Sequence, residues 1–263
     1  VNNANYLRGQ RTLENNRGGV LRNRTSVLGD IVGSSPAYVA DTDTLYVGAN
    51  DGMLHAFDAA TGQELFAYVP GIIDISALST LSRPDYTHRY FVDGPVSVTS
   101  RTLTPGKNLL IGTLGRGGKG VFALDVSAPQ TATAASVYKW ELRDTATGTD
   151  GNMGLVLGKP LLSKVTGGRV AAVLGNGVNS TRERAVLIVL DVETGDIIRQ
   201  IDTGAGSTQA PNGLSAPVGV DSADGQTLPY VYAGDMLGNV WKFDLTSTNA
   251  TQWSAKLLFT AQD

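Results

Sequence analysis

The 263-residue chain has no cysteine, only two histidines and a formal net charge of −3. Without cysteine there are no disulfides, thiolate metal sites or thiol nucleophiles; compartment stays open, because a large β core needs no covalent staple. A near-neutral chain has no global field to draw it to nucleic acid or anionic lipid, so neither is expected as a partner. Long hydrophobic runs are also missing. The longest, Ala185 to Leu190, falls far short of the ~20 residues a transmembrane helix needs. No G-x-S-x-G elbow occurs, and no serine and histidine are placed as a pair, so nucleophilic hydrolysis lacks its parts. The chain starts at Val1 with no charged-then-apolar leader, as expected of a mature or excised piece of a larger protein.

What the chain has in excess is glycine, 32 residues against a usual share of about 7%. Much of it falls in a unit that recurs four times. Pro36, Pro95, Pro160 and Pro217 open first strands; Gly48, Gly112, Gly175 and Gly234 stand where second strands give way to turns; Asp58, Asp125, Asp191 and Asp244 close third strands. Each apolar run is about four to six residues long and bounded by Gly, Asn, Asp or Pro, which marks strands rather than helices. A period of roughly 55 to 65 residues built of short strands predicts propeller blades. The expected fold is all-β: a β-propeller of four-stranded antiparallel blades, four of them legible, near residues 31–70, 90–142, 153–203 and 213–260. Residues 1–30, rich in arginine, are read as a solvated lead-in rather than a basic contact arm.

Between blades one and two lies an insertion in which Ile75, Leu78 and Leu81 recur at helical spacing. Asp74 is placed to cap a short helix and Pro84 to stop it. In a propeller, connections between blades and turns between second and third strands share one face. The inserted helix, the turn Gly115 to Gly120 and the turn Asn176 to Arg184 should therefore lie together, and long loops on a rigid frame are where binding concentrates.

Gly115, Gly117 and Gly120 match G-x-G-x-x-G, but the strand VFALDV follows. With no helix there is no fan of amides for a phosphate, and the glycines read as a hairpin turn. His55, in the alternating strand MLHAFD, and His88, near Tyr86, Arg89 and Asp93, read as hydrogen-bonded structural side chains. The four strand-ending aspartates read as turn residues bonding nearby backbone amides. Trp140, Trp241 and Trp253 fall in strand patterns and read as core. Sequons at Asn23, Asn179 and Asn249 are consistent with chance. The loop VDSADGQTLPYVYAGD of blade four holds Asp221, Asp224 and Gly225, a partial set of the alternating oxygen ligands that calcium takes in a linear loop. Asp41 and Asp43, in the matching loop of blade one, are a still smaller set.

Taken in order, LGDIVGSSPAYV, YVGANDGMLHAFDAATGQELFAYVP, YTHRYFVDG, LIGTLGRGGKGVFALDV, LGNGVNS and YAGDMLGNVWKFDL resemble the C-terminal propeller of the PilC/PilY family of type IV pilus tip-associated proteins, from about Leu7 to the end. DGMLHAFDAATG is shared with quinoprotein-type and outer-membrane assembly propellers, whereas YTHRYFVDG and LGRGGKGVFALDV set this family apart. The resemblance implies a modified seven-bladed propeller, of which this chain holds part, in a large extracytoplasmic protein of a Gram-negative bacterium, at the pilus tip, cell surface, outer membrane or periplasm. It implies roles in pilus biogenesis, opposition to retraction and adhesion, with minor pilins, the pilus tip complex and a host-cell surface as partners.

The family's calcium loop runs approximately D-x-D-x-D-G-x-x-D. Its first aspartate falls on Asp221, but Ala223, Gly225 and Pro229 take the next three ligand positions. A one-residue gap restores Asp224 and Gly225 and leaves Leu228 at the last carboxylate. The metal candidates are thus Asp221 and Asp224, in a degenerate loop expected to bind calcium weakly or not at all, and no other cofactor is expected. An RGD tripeptide is absent. The function expected is a non-enzymatic assembly and adhesion module that binds through its loops. The alternatives are a quinoprotein-like dehydrogenase, which would need a central cation site and aromatic stacking on a planar cofactor, and an outer-membrane assembly scaffold.

Overall fold

In the computed structural model, which describes residues 2–145, 149–223, 225 and 227–262, the apolar runs form four antiparallel sheets set side by side as propeller blades. Blade one is β1 (Ala37–Val39), β2 (Thr44–Ala49), β3 (Met53–Asp58) and β4 (Glu64–Tyr68). Blade two is β5 (Val96–Val98), β6 (Leu109–Thr113), β7 (Gly120–Asp125) and β8 (Tyr138–Arg143). Blade three is β9 (Leu161–Val165), β10 (Val170–Gly175), β11 (Val186–Asp191) and β12 (Ile197–Asp202). Blade four is β13 (Val218–Val220), β15 (Tyr230–Gly234), β16 (Asn239–Asp244) and β17 (Ser254–Thr260), while the intervening β14 (Thr227–Leu228) leaves it to run parallel to β9 as a fifth strand of blade three.

Strand alternation explains why the middle blades read as continuous apolar runs. Successive side chains point to opposite faces, and blades two and three are covered on both. Phe122 and Leu124 of β7 pack with Tyr46, Leu54 and Ala56 of blade one. Val121 and Ala123 pack the other way, with Val186, Ile188 and Leu190 of blade three. Leu187 and Val189 then turn to Val231, Trp241 and Phe243 of blade four. Trp140, Trp241 and Trp253 are all buried, as the strand patterns predict. Blade four is covered on one face; Val218, Val220 and Phe259 on the other are 66%, 48% and 60% exposed.

The motif glycines serve a purpose other than the expected turn geometry. None of Gly48, Gly112, Gly175 and Gly234 has a positive φ. A Cβ at Gly48 would lie 2.3 Å from the Val92 carbonyl oxygen, and one at Gly175 would lie 1.9 Å from that of Ser215. At these two positions glycine lets the incoming connection cross directly over the strand end.

The insertion forms as the sequence predicts but is shorter. After a six-residue N-terminal helix α1 (Asn2–Leu7), the inserted α2 (Ile75–Leu78) is a single turn, continued by a 3₁₀ turn over Ser79–Ser82. The Asp74 carboxylate accepts from the Ala77 amide at 3.1 Å, and Arg83, before Pro84, is extended. Leu78 and Leu81 are buried, whereas Ile75 is 57% exposed, because one turn covers one side only. A third helix, α3 (Ala134–Val137), closed by a Thr133–Ser136 capping box, precedes β8.

The lead-in departs from its solvated reading. Tyr6 and Glu14 are buried, and Glu14 pairs with Arg11 and Arg24. Arg24 also donates to the carbonyls of Tyr6 and Gln10 at 2.7 Å each, and Arg22 donates to that of Leu81 at 2.7 Å. These arginines are struts tying the segment to itself and to the insertion. Burial opposes ionisation of Glu14, but the two guanidiniums outweigh it and hold the carboxyl below its ordinary range.

Candidate functional site

The candidate site is the face formed by the blade-to-blade connections and the second-to-third-strand turns. The structure brings these loops together and binds them to one another. In blade one, the Asn50 side chain accepts from the Phe91 amide at 3.1 Å and donates to Asp30 at 3.0 Å. At the blade-two turn, the Asp93 amide donates to the Leu114 carbonyl at 3.1 Å, and the Asp93 carboxylate accepts from the Gly33 amide at 2.8 Å. Asn176, fully buried in blade three, donates to the carbonyls of Asn152 and Arg184 and accepts from the amides of Val186 and Leu214. In blade four, Asp235 accepts from Asn212, Asn239 and the Trp241 indole, each at 2.9 Å to one oxygen or a nearby backbone amide. Burial raises its pKa, but these hydrogen bonds outweigh that and keep it below the usual carboxylate range.

Turn residues with their side chains committed in this way leave a stiff face, and stiff loops lose little entropy on binding. The same loops expose apolar groups. Ile31 and Val32 before blade one, Tyr90 between blades one and two, Leu157 between blades two and three, and Met236 and Leu237 in the blade-four turn are between 36% and 58% exposed. Leu157 and Met236 also share the wall of a pocket of about 350 Å³ with Val178 and Leu214.

The glycine-rich turn holds no phosphate cradle. Gly115–Gly117 is a 3₁₀ turn leading into β7, and a Cβ on Gly117 would lie 1.8 Å from the Phe91 carbonyl oxygen. His55 is buried between two carboxylates, Nδ1 at 2.5 Å from Glu64 and Nε2 at 3.1 Å from Asp51. His88 pairs with Asp30 at 2.9 Å and lies edge-on to Tyr90. The four strand-ending aspartates act as the sequence predicts: Asp58 caps Thr61, Asp125 caps Ser127, Asp191 caps Glu193 and Thr194, and Asp244 caps Thr246, all through backbone amides.

For the calcium candidates, Asp221 is exposed, and Asp224 lies outside the described residues. Leu228, at the position of the family's last carboxylate, is fully buried against Leu161 and Gly219 and pairs with Val165 of β9. Among the described residues, no three His, Cys, Asp or Glu side chains gather as a metal site. The described part of this loop does not fit a calcium cage. The buried amides Asn50, Asn176 and Asn212, which organise the face, drew no attention in the sequence; the signal available was an Asn directly after or near each motif glycine.

A β-propeller whose polar side chains are spent on holding one loop face belongs to the class of propeller scaffolds that act by contact. Residues 28–256 match the family of the PilY1 beta-propeller domain, and the chain belongs to that family. It is 38% identical, over 98% of its length, to the type IV pilus biogenesis factor PilY1 homolog of Xylella fastidiosa, and spans 22% of that protein. It superposes on the crystal structure of the Pseudomonas aeruginosa PilY1 C-terminal domain with a TM-score of 0.65 at 34% identity, covering 84% of this chain and 46% of that one. The quinohemoprotein alcohol dehydrogenase of Comamonas testosteroni shares the fold alone, with a TM-score of 0.53 at 16% identity over 89% of this chain and 35% of that one.

Proposed function

We propose that this propeller is a non-enzymatic contact module of type IV pilus biogenesis, working outside the cytoplasm and binding minor pilins of the pilus tip through its loop face. The observation that carries the reading is the exposure of Ile31, Val32, Tyr90, Leu157, Met236 and Leu237 on loops otherwise held by buried hydrogen bonds. Apolar groups left on a rigid face mark a contact surface. Membership of the PilY1 propeller family and the naming of its relatives as pilus biogenesis factors support the pilus as the setting. Adhesion to a host surface would use the same face. On this reading contact does not depend on calcium at Asp221.

The test is biolayer interferometry of the whole chain against soluble minor pilin domains, with and without calcium. Leu157→Asp and Met236→Asp should each weaken binding about tenfold. Ala60→Asp, exposed on a hairpin at the opposite face, should leave it unchanged. Equal binding by all three variants, or no binding to any minor pilin, would overturn the reading.

A further inference from the structure

The largest cavity of the molecule, about 710 Å³, lies where the lead-in crosses the blade-one turn and the insertion. Most of the charge around it is already matched. Arg11 and Arg24 are paired with Glu14; Asp30 is paired with His88 and Asn50; Asp51 accepts from Gly29, Met53 and His55. Two groups are not matched. Arg22 has no acidic partner among the described residues: its Nε is anchored on the Leu81 carbonyl and its guanidinium rests 4.6 Å above the centre of the Tyr86 ring. The Tyr6 hydroxyl, in a residue only 2% exposed, has no hydrogen-bond partner, and Arg22 and Arg24 are the cations that act on it.

A stacked guanidinium with its terminal N–H groups free, beside a buried phenol lacking an acceptor, is a donor set in want of a planar anion. An Arg fork takes a carboxylate by two parallel hydrogen bonds. A dianionic phosphate fits less well, because Asp30 and Asp51 stand on the same wall. Leu7, Val27 and Leu81 supply apolar surface next to the donors. We infer that this cavity receives a carboxylate of a polypeptide segment, with an apolar side chain of that segment lying on Leu7, Val27 and Leu81. The cavity opens on the loop face, yet the inference is independent of the pilus reading, since its test uses no pilin.

The probes are N-acetyl-L-leucine, its uncharged analogue N-acetyl-L-leucinamide, and inorganic phosphate, titrated into the whole chain and followed by the NMR signals of Arg22 Nε and the Tyr6 ring. The acid should saturate with a Kd of about 1–10 mM, as a small ligand with one ionic anchor does. The amide and phosphate should bind at least fivefold more weakly. Arg22→Gln should weaken the acid about tenfold and Tyr6→Phe about threefold, in keeping with charge-assisted and neutral hydrogen bonds. N-acetyl-leucyl-aspartate diamide, whose carboxylate is on a side chain, separates a chain-end anion from a side-chain one; tighter binding by either acid supports the inference. Equal binding of acid and amide, tighter binding of phosphate, or no saturation by either acid would overturn it. Should Arg22→Gln fail to fold, Tyr6→Phe decides, because its lost hydroxyl has no partner in the fold and its stability should match the parent; undiminished acid binding by that variant would then overturn the inference.

Discussion

His55 is the residue whose environment departs furthest from what its strand suggests. Its alternating neighbours are apolar, and its ring stacks on Phe57 at 5.8 Å, yet both ring nitrogens face carboxylates. Carboxylates only accept, and a neutral imidazole donates from one nitrogen, so the protonated ring is the form that satisfies both sides. Burial pulls the pKa down, but Asp51 and Glu64 outweigh it and raise it above the ordinary 6.5. A raised folded-state pKa gives stability that is full below the unfolded value and lost as pH climbs through the folded one. In urea unfolding at about pH 5.5 and about pH 8.5, the stability gap between the parent and His55→Gln should be larger at the lower pH. A gap that grows with pH would show the neutral ring to be the stabilising form. The sequence gave His55 a structural role correctly, but not its partners: Asp51 is in the preceding turn and Glu64 on the next strand, and register decides that they meet.

At the scale of the element, the connection between blades one and two shows how backbone contact dictates residue choice. Gly117 lies so close to the Phe91 carbonyl that a methyl group has no room, and the obstacle is backbone rather than a side chain that could swing away. Gly117→Ala should destabilise the chain by about 3 kcal/mol or more, on the scale of other backbone-strain substitutions, read as a lower urea midpoint; an unchanged midpoint would mean the insertion is free to move off the turn. Gly118, whose added Cβ would meet mainly the Leu114 side chain, should tolerate the same change better. The hairpins also carry a regularity that spacing does not reveal. In every blade the third and fourth strands shift register at one point, between Ala56 and Phe57, Ala123 and Leu124, Val189 and Leu190, and Val240 and Trp241. Bulges of this kind bend and twist the outer strand, which helps each sheet fan away from the axis. The β14 strand belongs here too: an acidic loop in the sequence becomes, through Leu228, a clasp between blades three and four.

For the whole molecule, the three cores between blades set a gradient of stability. Strands β6, β7, β10 and β11 are buried on both faces, whereas β17 exposes Leu257, Leu258 and Phe259. Local opening follows the density of buried contacts. Hydrogen exchange on the whole chain should therefore be slowest in the middle strands of blades two and three and fastest in β17; uniform protection across all four blades would mean that the chain opens only as one cooperative unit. The blade repeat, the strand order and the turn role of the four aspartates were legible from residue type and spacing, because turns, caps and alternation are local physics. The placement of the loops on one face also followed, from chain direction alone. Beyond that reach lay the pairing of Glu14 with Arg24, the burial of Leu228, the meeting of Asn176 with Leu214 and the unmatched donors Arg22 and Tyr6. Each depends on which distant backbone arrives beside a given residue, and that is decided only when the blades pack and the connections close over their ends.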